Sequence, residues 1–225
     1  HYYLHITALS LLVVGVSLSN VLMSIGTIWI IANWLIELDF STKWGRFKTN
    51  KSVIALSSFF VLMVLSLSWS TDLDYAFKDL LIKLPLITIP LVMGTSKPLE
   101  NKVYKFLLYL FLTALTFTTV FNYLRFNTNT FGDIRQMSFF ISHIRLGGLI
   151  CLALFLGAYE TVKKGITIWF SIPVLCWFLF YLIKSQTLSA YILFVILFVA
   201  SLFFLFKSSK LKYVLLIFVL ASIVT

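Results

Sequence analysis

"DIRQMSFFISHIRLGG", residues 133–148, sets two arginines and a histidine directly before one of the most apolar runs of the chain. Arginine is permanently charged and offers planar, paired N–H donors that match phosphate oxygens. Arg135 and Arg145 are therefore candidates for holding a phosphate or diphosphate headgroup. His143, between them, can donate a hydrogen bond or serve as an acid or base near neutral pH. Asp133 can neutralise one of the arginines but not both. Were 138–158 one continuous helix, Ser138, Ser142 and Arg145 would share a face, while His143 would sit with Phe139, Phe140 and Gly147. Gly147 and Gly148 would let another helix approach closely just below. A second polar group occupies "LIKSQTLSAY", 182–191, where Lys184, Ser185, Gln186, Thr187 and Ser189 interrupt long apolar runs. It reads either as a tight turn facing water or as the wall of a polar cavity shared with Arg135 and Arg145. Arg125, after "VFNYL", reads as an interface anchor that snorkels to headgroups.

The elements that must position these residues are membrane helices. The chain is 60% hydrophobic with a mean hydropathy of +1.01 and only 12% charged residues, against about 25% in soluble domains. Twenty-three Phe, ten Tyr and six Trp suit lipid and its interfaces. The net charge of +10 does not make a nucleic-acid surface, because the basic residues are dispersed between apolar blocks rather than clustered. Cys151 and Cys176 lie inside apolar runs and read as packing residues. No CxxC or Cys/His cluster suggests a metal, and no cofactor is expected. No cleavable signal peptide is evident.

A crossing helix needs about 20 apolar residues. Candidate spans fall near 6–18, 20–36, 52–69, 84–95, 106–124, 143–159, 166–183, 188–206 and 213–225. The first two, divided by "GVSLSN", could instead form a hairpin that does not fully cross. The expectation is an all-α, polytopic transmembrane helical bundle of about nine spans, forming a single transmembrane domain over 1–225. Lys43, Arg46, Lys48, Lys51, Lys97, Lys102, Lys105, Lys163, Lys164, Lys207, Lys210 and Lys212 fall in one set of alternate connections. Lys78, Lys83, Arg125, Arg135, Arg145 and Lys184 fall in the other. The positive-inside rule assigns the larger set, and the N-terminus, to the cytoplasm. Arg135, His143 and Arg145 then sit on the outer side, where positive charge is sparse.

On that same side, "STDLDYAFKDLLIKL" predicts an amphipathic helix over 70–83 lying in the outer interface. Leu73, Phe77, Leu80, Leu81 and Leu84 recur at helical spacing, with Asp74–Lys78 and Asp79–Lys83 as i, i+4 pairs. Ser70 or Thr71, with Asp74, can cap its start. Pro85 and Pro90 follow, and read as a kink in the next apolar segment.

Four stretches carry a family resemblance: "LSNVLMSIGTIWIIANWL", "SWSTDLDYAFKDLLIKLPLITIPLVMG", "FFISHIRLGGLICLALF" and "YLIKSQTLSAYILFVILF". Together they resemble the O-antigen ligase and O-antigen polymerase group of bacterial membrane glycosyltransferases, in the style of Bacteroidetes members. The resemblance runs over almost the whole chain, mostly as hydropathy order; "HIR" and "KSQT" are its most specific letters. It implies a GT-C-like helical fold in the bacterial inner membrane. It also implies metal-independent transfer of a glycan from undecaprenyl diphosphate to a lipid A–core acceptor, or to another repeat unit, at the periplasmic face. Arg145 looks like the family's outer arginine contacting diphosphate, with Arg135 and His143 beside it. The family's late turn usually reads Ser-Arg-Thr or Ser-Arg-Gly, whereas Ser185-Gln186-Thr187 stands here, so Lys184 would have to supply the cation. The resemblance further implies a general base beyond Thr225, so that these residues read as the N-terminal part of a longer enzyme, inactive alone. The rival reading from another class is a transporter or flippase of lipid-linked or anionic solutes. A third is a non-catalytic membrane scaffold.

Overall fold

In the computed structural model, residues 2–128, 133–163 and 165–205 are described, with side chains as far as Ser201. Every regular element among them is helical. Among the described residues, four helices are long and apolar enough to cross a membrane: Lys51–Trp69, Asn101–Thr128, His143–Val162 and Ile168–Ser185. A bent pair, Asn20–Ile36 with Phe40–Thr49, raises the number to five if it counts as one span. The chain is thus an all-helical, membrane-embedded protein. Tyr2–Leu18 and Leu188–Ser201 are apolar but shorter, and the segment near 84–95 forms a helix of only 11 residues. The candidate span at 213–225, and Lys164, Lys207, Lys210 and Lys212, lie outside the described residues.

By its contacts the chain divides into two compact units, His1–Gly15 with Val21–Tyr104, and Val16–Asn20 with Lys105–Thr225. The first unit begins with α1 (Tyr2–Leu18) and α2 (Asn20–Ile36), separated by a single non-helical residue. A β-carbon on Gly15 would fall 2.3 Å from the Met23 backbone, and one on Gly26 2.8 Å from that of Leu12. The helical-hairpin reading of the opening segment therefore has its local basis in two glycines that let backbones touch. At Leu38 the backbone turns left-handed, φ 52°, and the chain bends by 114° into α3 (Phe40–Thr49).

Sequence reading took this stretch for a basic loop. As a helix it carries Lys43 inward, 4% exposed, to pair with Glu37 at 3.1 Å and lie 4.6 Å over the Trp34 ring. Arg46 Nη1 donates to Thr95 O at 3.0 Å, and Trp34 Nε1 donates to Thr95 Oγ1 at 2.9 Å. The Arg46 bond fastens α3, and the Trp34 bond fastens α2, to α6 (Pro85–Thr95), which also packs on α4 (Lys51–Ser66). Gly94 makes that last approach possible, since a β-carbon there would collide with Val53.

The amphipathic helix expected over 70–83 forms as α5 (Leu73–Ile82), but its cap differs. Asp72, not Ser70 or Thr71, accepts from the Tyr75 N–H at 3.0 Å. Ser70 Oγ instead donates to Asp72 O. A carboxylate one residue before the helix reaches its free N–H groups directly and favours the positive end of the helix dipole. Of the two expected ion pairs, Lys83–Asp79 forms and Asp74–Lys78 does not, among the described residues. Leu73, Phe77, Leu81 and Ile82 remain exposed. Pro85 stands at the first turn of α6, where it costs no hydrogen bond, and Pro90 inside it.

The second unit is built on α7 (Asn101–Thr128, from Lys105 on), α8 (His143–Val162), α9 (Ile168–Ser185) and α10 (Leu188–Leu205). Helix α8 packs on both α9 and α10. Leu112, Leu115, Leu146, Ile150, Cys151, Phe178 and Tyr181 form its core, each almost wholly buried. A β-carbon on Gly147 would stand 2.6 Å from Ala190 Cβ, whereas Gly148 has room. Close approach of α8 and α10 is therefore the work of Gly147 alone of the pair.

Candidate functional site

The site begins with a short 3-10 turn, Ile134–Met137, that is wedged against α8 and α9 by the buried Met137. Asp133 caps this turn, its Oδ1 accepting from the Arg135 N–H at 2.9 Å. That carboxylate therefore serves the backbone and makes no ion pair with either arginine, among the described residues. The Arg135 side chain has neither an ion-pair nor a hydrogen-bond partner among the described residues. After the turn the chain is non-helical from Ser138 to Ser142, extended at both of those residues and bent at Phe140 and Ile141, and α8 starts at His143.

A continuous helix over 138–158 thus does not form. Asn122, buried within α7, accepts from the Phe139 N–H at 3.2 Å and holds the segment out of a helix. Helix formation would break that bond. The non-helical course also overturns the facing expected for a continuous helix. Ser138 now stands beside His143, with Ser138 Oγ 3.1 Å from His143 Nδ1.

On the other ring nitrogen, His143 Nε2 lies 2.9 Å from Ser185 O and 2.7 Å from Thr187 Oγ1. Thr187 Oγ1 donates to Ser185 Oγ at 3.2 Å, which donates to Leu182 O at 2.9 Å. The two stretches singled out by sequence, 133–148 and 182–191, are thus joined through one imidazole. Gln186 makes the join possible: it closes α9 in a left-handed conformation, φ 49° and ψ 33°, which costs a non-glycine residue about 1–2 kcal/mol. The reversal starts α10 two residues later and turns Thr187 back toward His143.

Between these pieces lies an open-mouthed cavity of about 880 Å³, within the usual ligand range of about 300–1,000 Å³. Asp133, Ile134 and Arg135 line it from the turn, and Ser138 and Ser142 from the non-helical segment. His143 and Ile144 line it from α8, Gln186 and Thr187 from the second turn, and Leu188 and Ser189 from α10. Its charged groups are Asp133 and Arg135; the remaining polar lining is hydroxyl, amide and imidazole.

Arg135, His143 and Gln186 therefore share the cavity, as a common polar site required. Arg145 and Lys184 are exposed and outside its lining. Two positions along a helix are about 200° apart around its axis, so α8 cannot turn His143 and Arg145 to the same side. Arg145 Nη1 instead donates to Asn20 Oδ1 at 2.8 Å. Arg125 rests on the Phe139 ring, 4.4 Å from its centre.

Below the cavity, Tyr181 and Asn122 are wholly buried polar residues that sequence reading passed over. The Tyr181 hydroxyl neighbours Asn122 and Ser138 but closes no hydrogen bond, and Asn122 Nδ2 also lacks a partner among the described residues. The available signal was a single Asn and a single Tyr set into apolar helices. No three His, Cys, Asp or Glu side chains converge among the described residues in a way that would hold a metal.

The first unit carries a smaller polar cavity of about 100 Å³, lined by Tyr2, His5, Asn33, Glu37, Ser96, Lys97 and Leu99. Comparison of the chain with models of protein families, with curated proteins and with solved structures finds no match.

Proposed function

We propose that this chain is a membrane-embedded glycosyltransferase of the O-antigen ligase or polymerase kind. It acts in the bacterial inner membrane with its N-terminus in the cytoplasm, and moves a glycan from undecaprenyl diphosphate to a lipid A–core acceptor at the periplasmic face. One observation carries the reading. A guanidinium without a partner among the described residues, Arg135, shares a roomy cavity with hydroxyl and amide groups, at the ends of apolar helices that the lysine and arginine bias assigns to the outer side. Arginine matches phosphate oxygens, and hydroxyls and amides match sugar hydroxyls. In the reaction the acceptor hydroxyl attacks the anomeric carbon and the lipid diphosphate departs. A cation placed where charge develops stabilises that departure.

Repeat-unit polymerisation uses the same donor and differs only in the acceptor, so it stands as the second reading. A transporter or flippase would set its charged residues near mid-membrane. Here His143 is the first residue of α8 and Gln186 the residue closing α9, both at helix ends.

The test is complementation of ligase-deficient and polymerase-deficient strains with the full-length gene, wild type against Arg135→Ala at matched expression. Lipopolysaccharide ladders restored by the wild type and lost in the variant support the reading. A wild type that restores neither strain counts against it.

A further inference from the structure

The contacts around His143 determine which of its nitrogens carries the proton. A carbonyl oxygen can only accept, so Ser185 O, 2.9 Å from Nε2, requires the hydrogen to be on Nε2. The hydroxyls agree: Ser185 donates to Leu182 O, Thr187 donates to Ser185 Oγ, and Thr187 Oγ1 is left to accept from the same Nε2–H. In the neutral ring the lone pair is then on Nδ1. That nitrogen faces Ser138, whose hydroxyl lines the cavity and donates to it.

We infer that His143, through Nδ1, is the proton acceptor for the hydroxyl that attacks in this cavity, with Ser138 Oγ marking its line of approach. The inference rests on the glycosyl-transfer reading and assigns the base to His143, in place of the base beyond Thr225 that the family resemblance implies. As the acceptor oxygen bonds to the anomeric carbon, its proton passes to Nδ1. The bond from that carbon to the diphosphate oxygen breaks, and its electron pair leaves with the diphosphate. The imidazolium so formed keeps its Nε2–H on Ser185 O and Thr187, and donates from Nδ1 to Ser138 Oγ. Both protonation states are therefore satisfied: the Ser138 hydroxyl, which holds Nδ1 in the resting site, turns away as the acceptor hydroxyl takes its place, and a fixed imidazole with its acceptor nitrogen at a cavity is what general base chemistry needs. The charged groups facing the cavity are Asp133 and Arg135, from the 3-10 turn. Arg145 on α8 and Lys184 on α9 lie outside the lining, and α10 contributes Leu188 and Ser189.

The experiment uses the full-length protein in liposomes with undecaprenyl diphosphate-linked O-antigen and lipid A–core, comparing wild type, His143→Gln and Ser138→Ala across pH. Glutamine keeps an N–H for Ser185 O and removes the base. His143→Gln is expected to lower transfer by about 10²–10⁴-fold and to flatten the acid limb of the pH–rate profile. Ser138→Ala should stay within about tenfold of wild type and keep that limb. In parallel, ¹⁵N-histidine spectra, assigned by the His143→Gln variant among the three histidines of the chain, should show neutral His143 protonated on Nε2.

Transfer by wild type with His143→Gln within threefold of it would overturn the inference while leaving the glycosyltransferase reading intact. So would a proton found on Nδ1, or a Ser138→Ala loss equal to that of His143→Gln. A wild type without transfer overturns the glycosyltransferase reading itself, and the inference with it.

Discussion

Arg135 and Arg145 are the same residue type in the same short stretch, yet their surroundings differ. Arg135 lines the cavity with no partner among the described residues, whereas Arg145 is held by Asn20 outside it. Loss of Arg135 should therefore cost more than loss of Arg145. A charge-assisted hydrogen bond is worth about 1.5–3 kcal/mol, so Arg135→Ala should cut transfer by about 10–100-fold. Arg145→Ala should leave a visible ladder on the same gels, and equal loss in both would return them to non-specific anchoring. Arg135→Lys keeps the charge but not the planar fork and should fall between wild type and Arg135→Ala. Gln186 stands where the proposed family carries arginine, and it lines the cavity together with Arg135. Gln186→Arg is thus expected to retain transfer, measured by ladder intensity in the complemented strain, since the added cation faces the same diphosphate.

The joints between helices rest on a few small or polar residues. Gly147 lets α8 and α10 touch, while Gly148 next to it meets only Leu193 at 3.8 Å. Gly147→Ala should destabilise the fold by about 1–3 kcal/mol through overpacking, and Gly148→Ala should be tolerated. Thermal unfolding followed by fluorescence-detected size exclusion separates the two outcomes. In the first unit Thr95 receives Trp34 on its hydroxyl and Arg46 on its carbonyl. Thr95→Val removes the first bond, together with the Thr95 Oγ1 donation to Leu91 O, and leaves the indole N–H without that partner, at a cost of about 1–3 kcal/mol. The same unfolding assay should show it, and Trp34→Phe should restore part of the loss. Tertiary bonds such as these hold α3 as a helix across the bend, and no local pattern in "FSTKWGRFKT" announces them.

For the molecule as a whole, orientation is the expectation most open to direct measurement. In a background with Cys151 and Cys176 replaced by alanine, single cysteines at Lys78 and Lys184 should react with an impermeant reagent from outside intact spheroplasts. Cysteines at Lys48 and Lys102 should react only after lysis. The reverse pattern would invert the orientation and remove the outer-face chemistry, without touching the helical fold.

Hydropathy and the residues flanking each apolar run determined the helical class, the membrane setting and most helix positions, because the bilayer accepts only segments that satisfy their own backbone. The polar stretches at 133–148 and 182–191 were visible for a similar reason: charge and hydroxyls are conspicuous between apolar runs. Which of those residues meet was decided by tertiary structure alone. The Asn122 bond that keeps 138–142 out of a helix, the left-handed turn at Gln186 and the one-sided geometry of α8 are long-range or backbone facts. Together they bring Arg135, His143 and Gln186 into one cavity and leave Arg145 and Lys184 outside it.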